Sequence, residues 1–265
     1  MCSTKVWDKV LSEEAYEQKL AENPSLMRFI RNLESFLVNG RTILECGCGS
    51  GINTLLLSKK FGLECFLVDF SKKSFEIVRR FAKELNVSYN FILADCRYLP
   101  FKEGNCDVVW NEGVNEHFNG YERQLVFNEM IRACKFKGGI LVSVPNSLNL
   151  YEQIIIRAKG FPYGFEKPYS SSELKERLIR AGASIFSTDG YGFWGSIINL
   201  LVFLTKRGKV FYRSMHRQIT ADSKKHEIIK KIGRLLRVLD YQRNWLNKYF
   251  GYLIVCTASK IRKNI

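Results

Sequence analysis

No C-x-x-C pair occurs among the eight cysteines of this 265-residue chain, and only three histidines stand anywhere along it. Without ligands at metal-binding spacing, no metal site is expected, and scattered thiols suit a reducing compartment better than a disulfide framework. Residues 1–23 are charged throughout and lack an apolar centre, so a cleaved export signal is not expected either. The nearly apolar run 193–204 falls short of the about 20 residues that a membrane-crossing helix needs. Internal repeats and low-complexity tracts are absent. These absences point to a cytoplasmic globular chain. With 46% hydrophobic residues it can bury a full core, so one domain with an elaboration is the expected count.

What is present begins with Ile43-Leu44-Glu45-Cys46-Gly47-Cys48-Gly49-Ser50-Gly51, an apolar run ending in three glycines at alternate positions. The run reads as a short buried strand, and Ile52 to Lys60 as a helix with Leu55, Leu56 and Leu57 on its apolar face. A strand, a glycine turn and a helix start make a place where a ligand can lie against bare backbone. A dinucleotide fingerprint needs G-x-G-x-x-G, but position 52 is Ile and the third glycine comes one residue early. The spacing therefore favours a nucleoside without a pyrophosphate.

Three further runs follow in order. Phe66-Leu67-Val68-Asp69 ends in a carboxylate, which at the end of a second strand can accept hydrogen bonds from both ribose hydroxyls. Tyr89 to Ala94 ends in Asp95-Cys96-Arg97-Tyr98-Leu99-Pro100-Phe101, and Cys106 to Trp110 runs into Asn111-Glu112-Gly113. Strands are expected over 42–46, 64–69, 89–94, 106–110 and 139–144, with helices over 52–60, 72–85 and 120–134 between them. That alternation argues for a parallel sheet with helices on both faces, whose strand ends form a line of ligands. A helix over 25–37, one opening at Ser171-Ser172-Glu173 and stopped by Gly182, and strands over 183–188 and 252–258 complete the pattern.

The strings ILECGCGSG, FLVDFS, ADCRYLPF, CDVVWNEGVNEHF and GGILVSVPN together resemble the class I S-adenosylmethionine-dependent methyltransferases, nearest the branch acting on small molecules and lipids. The likeness covers roughly residues 25–190 and the final strand. It implies an α/β fold: a doubly wound, mostly parallel seven-stranded, Rossmann-like sheet, from whose often short connection between the last two strands this chain departs by a helical, basic insertion before the last strand. It also implies S-adenosylmethionine as methyl donor, S-adenosylhomocysteine as product, and no metal. By the family pattern Gly47, Gly49 and Gly51 lie under the methionine part, with Glu45 near its amino group. Asp69 holds the ribose hydroxyls and Phe70 lies along the adenine. Asp95 with Cys96 meets the adenine edge, and Asn111 and Gly113 close the pocket near the sulfonium.

On this reading helices over 1–40 flank or lid the site, 41–190 with 251–265 form the cofactor-binding core, and 191–250 forms a basic helical cap. The cap carries thirteen Lys/Arg against Asp222, Glu227 and Asp240, a net +10 of the chain's +15. It is assigned, with 145–172, to substrate recognition. The run 193–204, followed at once by Lys206 and Arg207, is either a helix packed on the sheet or one lying in a bilayer interface. Residues 223–240 place Ile228, Ile232, Leu235, Leu236 and Leu239 on one stripe of a basic amphipathic helix. Such a face is either simply solvated or drawn to anionic lipid, RNA or an acidic substrate. An anionic membrane surface is thus a candidate partner through 191–250, with peripheral membrane association as its consequence.

Methyl transfer from a sulfonium is an in-line displacement on an already activated donor, so the protein's task is alignment and exclusion of water. A hydroxyl acceptor also needs a base, for which Glu116 and His117 are the candidates. The alternative for His117 is a loop-shaping hydrogen bond to a backbone carbonyl. His216 and His226 read as surface residues of the cap. Tyr163, Phe165 and Tyr169 either line an acceptor pocket or simply pack. Three functions are compatible with these features: methylation of a small-molecule, lipid or lipid-linked acceptor; methylation of RNA; and a non-catalytic cofactor-binding module docking an anionic partner. The RNA reading lacks an N-P-P-Y type tetrapeptide, and the intact glycines and carboxylates oppose the third.

Overall fold

The computed structural model describes residues 24–151, 153–154, 165–194, 196–197, 200 and 245–261. The helix expected over 3–22, the amphipathic stretch 223–240 and the side chains of Tyr163, His216 and His226 lie outside the described residues. In chain order the elements are α1 (Pro24–Asn39), β1 (Thr42–Cys46), α2 (Ile52–Phe61), β2 (Glu64–Asp69), α3 (Lys72–Leu85), β3 (Asn90–Leu93) and β4 (Cys106–Glu112). A 3-10 turn (Asn115–His117), α4 (Gly120–Ala133), β5 (Cys134–Pro145), α5 (Ser171–Ala181), β6 (Ala183–Tyr191), α6 (Trp245–Phe250) and β7 (Leu253–Lys260) follow.

The strands form a seven-stranded sheet in the order β3-β2-β1-β4-β5-β7-β6. β1 pairs in parallel with β2 and β4, β2 with β3, and β4 with β5, while β7 runs antiparallel. The sheet is therefore mixed. Helix boundaries follow local chemistry. Ser71 caps α3 by accepting from the Lys73 and Ser74 amides, and Asn86 ends it in the left-handed region. α5 is capped by Ser170, one residue before the expected run, because its hydroxyl reaches the Glu173 amide at 3.1 Å.

β5 is longer than the expected 139–144. Its first turn of chain is bulged: Cys106 faces Cys134, but Val108 already faces Gly139. Lys137 takes up the slack with φ 63°, so Lys135 to Gly138 break the alternation by which a strand is recognised. Asp107 anchors this end of the sheet. One carboxylate oxygen accepts from the Arg41 amide (3.0 Å), the Thr42 amide (3.1 Å) and the Thr42 hydroxyl (2.8 Å). The other accepts from Lys135 Nζ at 2.9 Å.

The chain divides into two compact units. One, Met1–Val144 with Phe161–Thr188 and Val255–Ile265, contains the sheet core: Ile43, Leu44, Leu67, Val68, Val108, Val109 and Trp110 are all inaccessible to solvent. The other, Pro145–Gly160 with Asp189–Ile254, is held at the loop after β5 by Asn146. Its Nδ2 donates to the Tyr249 and Gly251 carbonyls, both at 3.0 Å.

Candidate active site

Because β1 to β4 run in one direction, their carboxyl ends lie along one edge of the sheet, where open α/β sheets hold ligands. After β1 the chain turns at once. The Gly47 and Cys48 amides both donate to the Val68 carbonyl, at 2.8 and 2.9 Å, folding the loop over the end of β2. Gly47 has φ 70°, and a Cβ there would stand 2.6 Å from Val114 Cγ2. Only glycine allows both that backbone and that approach.

Asp69 closes β2 as a buried carboxylate. Its Oδ2 accepts from the Gly49 amide at 2.8 Å and its Oδ1 from the Ser71 amide at 2.9 Å. Burial pushes this carboxyl above its ordinary range, while the amides of Ser71, Gly49 and Phe70 pull it back. Gly49 is held from the other side by Ser74, whose hydroxyl donates to the Gly49 carbonyl. Gly51 begins α2 with φ 64°, and half-buried Phe70 follows Asp69 directly.

Glu45 sits one residue before the end of β1, 6% exposed, with Oε2 buried and lacking a hydrogen-bond partner. Burial holds its carboxyl well above the usual range, opposed by a hydrogen bond to Thr54 and reinforced by Glu112 and Asp69. Thr54 also accepts from the Trp110 indole N–H at 2.9 Å, so Glu45 is fixed through a residue the motif does not contain. In register, Glu45 stands beside Leu67 and Trp110. Residues two further on share that face, so Glu45, Asp69 and Glu112 all lie on one side of the sheet. Three carboxyls and an orphaned oxygen suit a cationic ligand.

Asn111 turns to the opposite face. Its Nδ2 donates to Asn115 Oδ1 at 3.0 Å and approaches Met130 Sδ at 3.3 Å, leaving Oδ1 buried without a hydrogen-bond partner. Gly113 has φ 70° and donates its amide to the Ser143 carbonyl at 3.0 Å. Asp95 is half-exposed and committed to Arg97, whose Nη2 lies 2.6 Å from Oδ2 and whose amide lies 2.8 Å from Oδ1. Burial would raise the Asp95 carboxyl, but the Arg97 bonds outweigh it and leave the group below its ordinary range. Cys96 beside it is buried, and burial pushes its thiol far up, so it is no nucleophile.

The 3-10 turn carries Glu116 and His117, both buried. His117 Nδ1 lies 3.0 Å from the Phe165 carbonyl, which can only accept, so the ring proton resides on Nδ1. Burial lowers the imidazole's affinity for a second proton, with Arg123 adding to that and the Phe165 bond opposing it. The ring is therefore neutral at pH 7, with its basic lone pair on Nε2. His117 thus binds a backbone carbonyl, the loop-shaping bond that the sequence offered as the alternative to a base.

Around this turn, two loops are zipped together. The Lys167 amide donates to the Glu116 carbonyl at 3.0 Å, and the Tyr169 hydroxyl to the Asn115 carbonyl at 3.3 Å. Arg123, 1% exposed, closes the zip from α4. Its Nε donates to the Phe118 carbonyl (2.9 Å), its Nη2 to the Lys167 carbonyl and its Nη1 to Glu173 (3.0 Å). The guanidinium lies 3.9 Å from the Tyr169 ring centroid. Sequence reasoning missed Arg123, Thr54 and Glu112. The available signal for Arg123 was its place on the apolar stripe with Val126, Phe127 and Met130.

Among the described residues no group of three His, Cys, Asp or Glu is placed to hold a metal ion. A cavity of about 490 Å³ at the opposite strand ends, lined by Lys59, Glu64, Cys65 and Asn90, includes none of the site residues.

A family described as "Methyltransferase domain" matches residues 43–138, which spans the glycine loop, Asp69, Asp95 and the His117 turn. The 2-methyl-6-phytyl-1,4-hydroquinone methyltransferase of Synechocystis is 31% identical over 131 residues, 44% of this chain and 38% of that one. An uncharacterized protein of Methanocaldococcus jannaschii is 30% identical over 167 residues, 63% of this chain and 65% of that one. The chain thus spans less than two thirds of the length of these relatives. A methyltransferase structure from Archaeoglobus fulgidus superimposes with a TM-score of 0.58 at 19% identity, covering 92% of this chain and 98% of that one. Strand order, glycine loop and sequence likeness agree: residues 43–138 form a class I S-adenosylmethionine-dependent methyltransferase domain, set in a seven-stranded sheet of that fold.

Proposed function

We propose that this protein transfers a methyl group from S-adenosylmethionine to a small-molecule acceptor with a prenyl-like or otherwise lipidic body. The observation that carries the reading is the buried Glu45 Oε2, lacking a hydrogen-bond partner on the face it shares with Asp69 and Glu112. A buried carboxyl so placed is costly unless a cation completes it, and the donor presents both an ammonium and a sulfonium. When bound, that cofactor supplies a methyl carbon already activated by the positive sulfur.

In this assignment Gly47, Gly49 and Gly51 form the bed of the methionine part and Glu45 takes its ammonium. Asp69 accepts from the ribose hydroxyls, and Phe70 covers the adenine. Cys96 and Asp95 stand at the adenine edge, Asp95 with its charge already balanced by Arg97. The sulfonium end is closed by Gly113 and by the backbone at Asn111, whose side chain is turned toward Met130. His117, neutral and with Nε2 as its basic atom, takes the proton of a hydroxyl acceptor; Glu116 beside it is the other candidate.

The acceptor class rests on the Synechocystis relative, whose name gives a phytyl-bearing hydroquinone. The test is transfer of labelled methyl from S-adenosylmethionine in the presence of prenylated hydroquinones, polar amines or RNA. Label in the organic extract, lost in His117→Ala with cofactor affinity unchanged, is the expected result. Label confined to RNA, or none in any fraction, contradicts the assignment.

A further inference from the structure

We propose that Thr54 and Trp110 form a positioning relay that aims Glu45 at a ligand's ammonium group and makes the site select for that group. This role rests on S-adenosylmethionine being the donor, as proposed above. Glu45 and Trp110 are neighbours in register on β1 and β4, and Thr54 lies in the first turn of α2. Thr54 and Trp110 are both inaccessible to solvent. The indole Nε1 lies 2.9 Å from Thr54 Oγ1, and an indole can only donate. The threonine therefore accepts from Trp110, and its one hydroxyl proton is left for Glu45, to which it is hydrogen-bonded. Because Glu45 Oε2 has no hydrogen-bond partner, that bond falls on Oε1. The direction of the relay is thus set from indole to hydroxyl to carboxyl.

Glu45 and Thr54 also stand at the two feet of the glycine loop. Glu45 comes one residue before β1 ends, and Thr54 three residues after Gly51. Their bond closes the base of the loop, whose Gly47 and Cys48 amides are tied to the Val68 carbonyl. A β-branched side chain is stiff at χ1, so the Thr54 hydroxyl meets Oε1 from one direction. The carboxyl cannot rotate without breaking that bond. Oε2 consequently keeps one orientation, on the face that Glu45 shares with Asp69 and Glu112.

An ammonium is the group that such an oxygen selects. A neutral donor could satisfy one lone pair, but Glu112 and Asp69 close to Glu45 favour a positive charge between them. The Thr54 bond favours the ionised form of Glu45 against burial, so the counter-charge for the ammonium forms more easily. Without the hydroxyl, Glu45 holds two orphaned oxygens in a buried place, where the protonated form prevails and the ammonium loses its partner. Trp110 acts one step further back. Without its N–H the Thr54 proton loses its fixed direction, which loosens the aim of Oε2 without removing the bond. A purely structural network of the same residues differs in one respect: it is indifferent to whether a ligand carries an ammonium.

The experiment is calorimetric titration of the full chain with S-adenosylhomocysteine and with its deamino analogue, in which hydrogen replaces the amino group. Wild type, Thr54→Val, Thr54→Ser and Trp110→Phe are compared. The wild type should favour S-adenosylhomocysteine over the analogue at least about tenfold, as a charge-assisted bond implies. Thr54→Val keeps the branched shape and removes the hydroxyl; its preference should shrink to about twofold, with affinity for the analogue unchanged. Thr54→Ser should keep the wild-type preference, and Trp110→Phe should show an intermediate one. A wild-type preference in Thr54→Val, or equal weakening toward both ligands, overturns the relay. Should Thr54→Val not fold, a wild-type preference in Trp110→Phe overturns it in the same way. Equal affinity of the wild type for both ligands removes the ammonium subsite, whereas binding of neither removes the cofactor reading itself.

Discussion

Gly47 lies directly against Val114, so closely that a Cβ on the glycine would stand 2.6 Å from Val114 Cγ2. This contact joins the loop after β1 to the turn that carries Glu116 and His117. Gly47→Ala is expected to cost about 1–3 kcal/mol in backbone strain alone, since φ is 70°. The displaced Val114 then disturbs both halves of the site, and cofactor affinity falls at least about tenfold. Adding Val114→Ala removes the clash but not the strain, so the double variant recovers part of the affinity. Calorimetric titration of the two single variants and the pair gives the coupling.

With Glu45 proposed as the partner of the cofactor's ammonium, cofactor binding is expected to be proton-linked. Its carboxyl is protonated well above the usual carboxylate range in the free protein, because burial disfavours the charge. An ammonium beside Oε2 draws the proton off, so binding releases it and affinity rises with pH until Glu45 ionises unaided. Titrations in buffers of different ionisation enthalpy should show that release. In Glu45→Gln the proton release disappears and affinity falls by about 1.5–3 kcal/mol, the value of a charge-assisted bond.

Arg123 holds the His117 turn in place through the Phe118 and Lys167 carbonyls. Arg123→Met frees the Phe118 and Lys167 carbonyls and leaves Glu173 without its buried partner. Water then reaches His117, and both the lost burial and the lost positive charge raise its pKa toward the ordinary 6.5. An NMR titration of the imidazole reads the shift. In the wild type the depressed value contributes stability that is present above the unfolded pKa, and it is lost as the pH falls through the folded one. Arg123→Lys cannot span the same partners and is expected to behave like Arg123→Met.

Asp107 is the acid-sensitive joint of the sheet. Burial alone would raise its carboxyl, but Lys135, Thr42 and Arg41 bring it down to about 2. Its contribution is therefore complete above about 4, the unfolded value, and is lost as the pH falls toward the folded one. Asp107→Asn should cost about 1–3 kcal/mol at neutral pH. Urea unfolding of both proteins should show that gap closing in acid.

The parts that could be read from sequence are those where one residue type answers one local demand. Alternate glycines marked the loop, a carboxylate after an apolar run marked Asp69, and Gly182 stopped α5 as expected. β5 was half hidden because Lys135 to Gly138 form a bulge with no period of two. Arg123 was missed because its four partners come from segments up to 50 residues away, and spacing along the chain carries no trace of them. Asp95 reads as a bare carboxylate in sequence, but Arg97, two residues on, folds back upon it. Thr54 gave no sign, since a threonine on a helix is ordinary until an indole and a carboxyl converge on it.

The most direct test of the account is titration of wild type and Asp69→Ala with S-adenosylmethionine and S-adenosylhomocysteine. Saturable binding of both by the wild type, weakened at least about tenfold in the variant, is the predicted result. Absence of binding by the folded wild type, or equal affinity in Asp69→Ala, would contradict it.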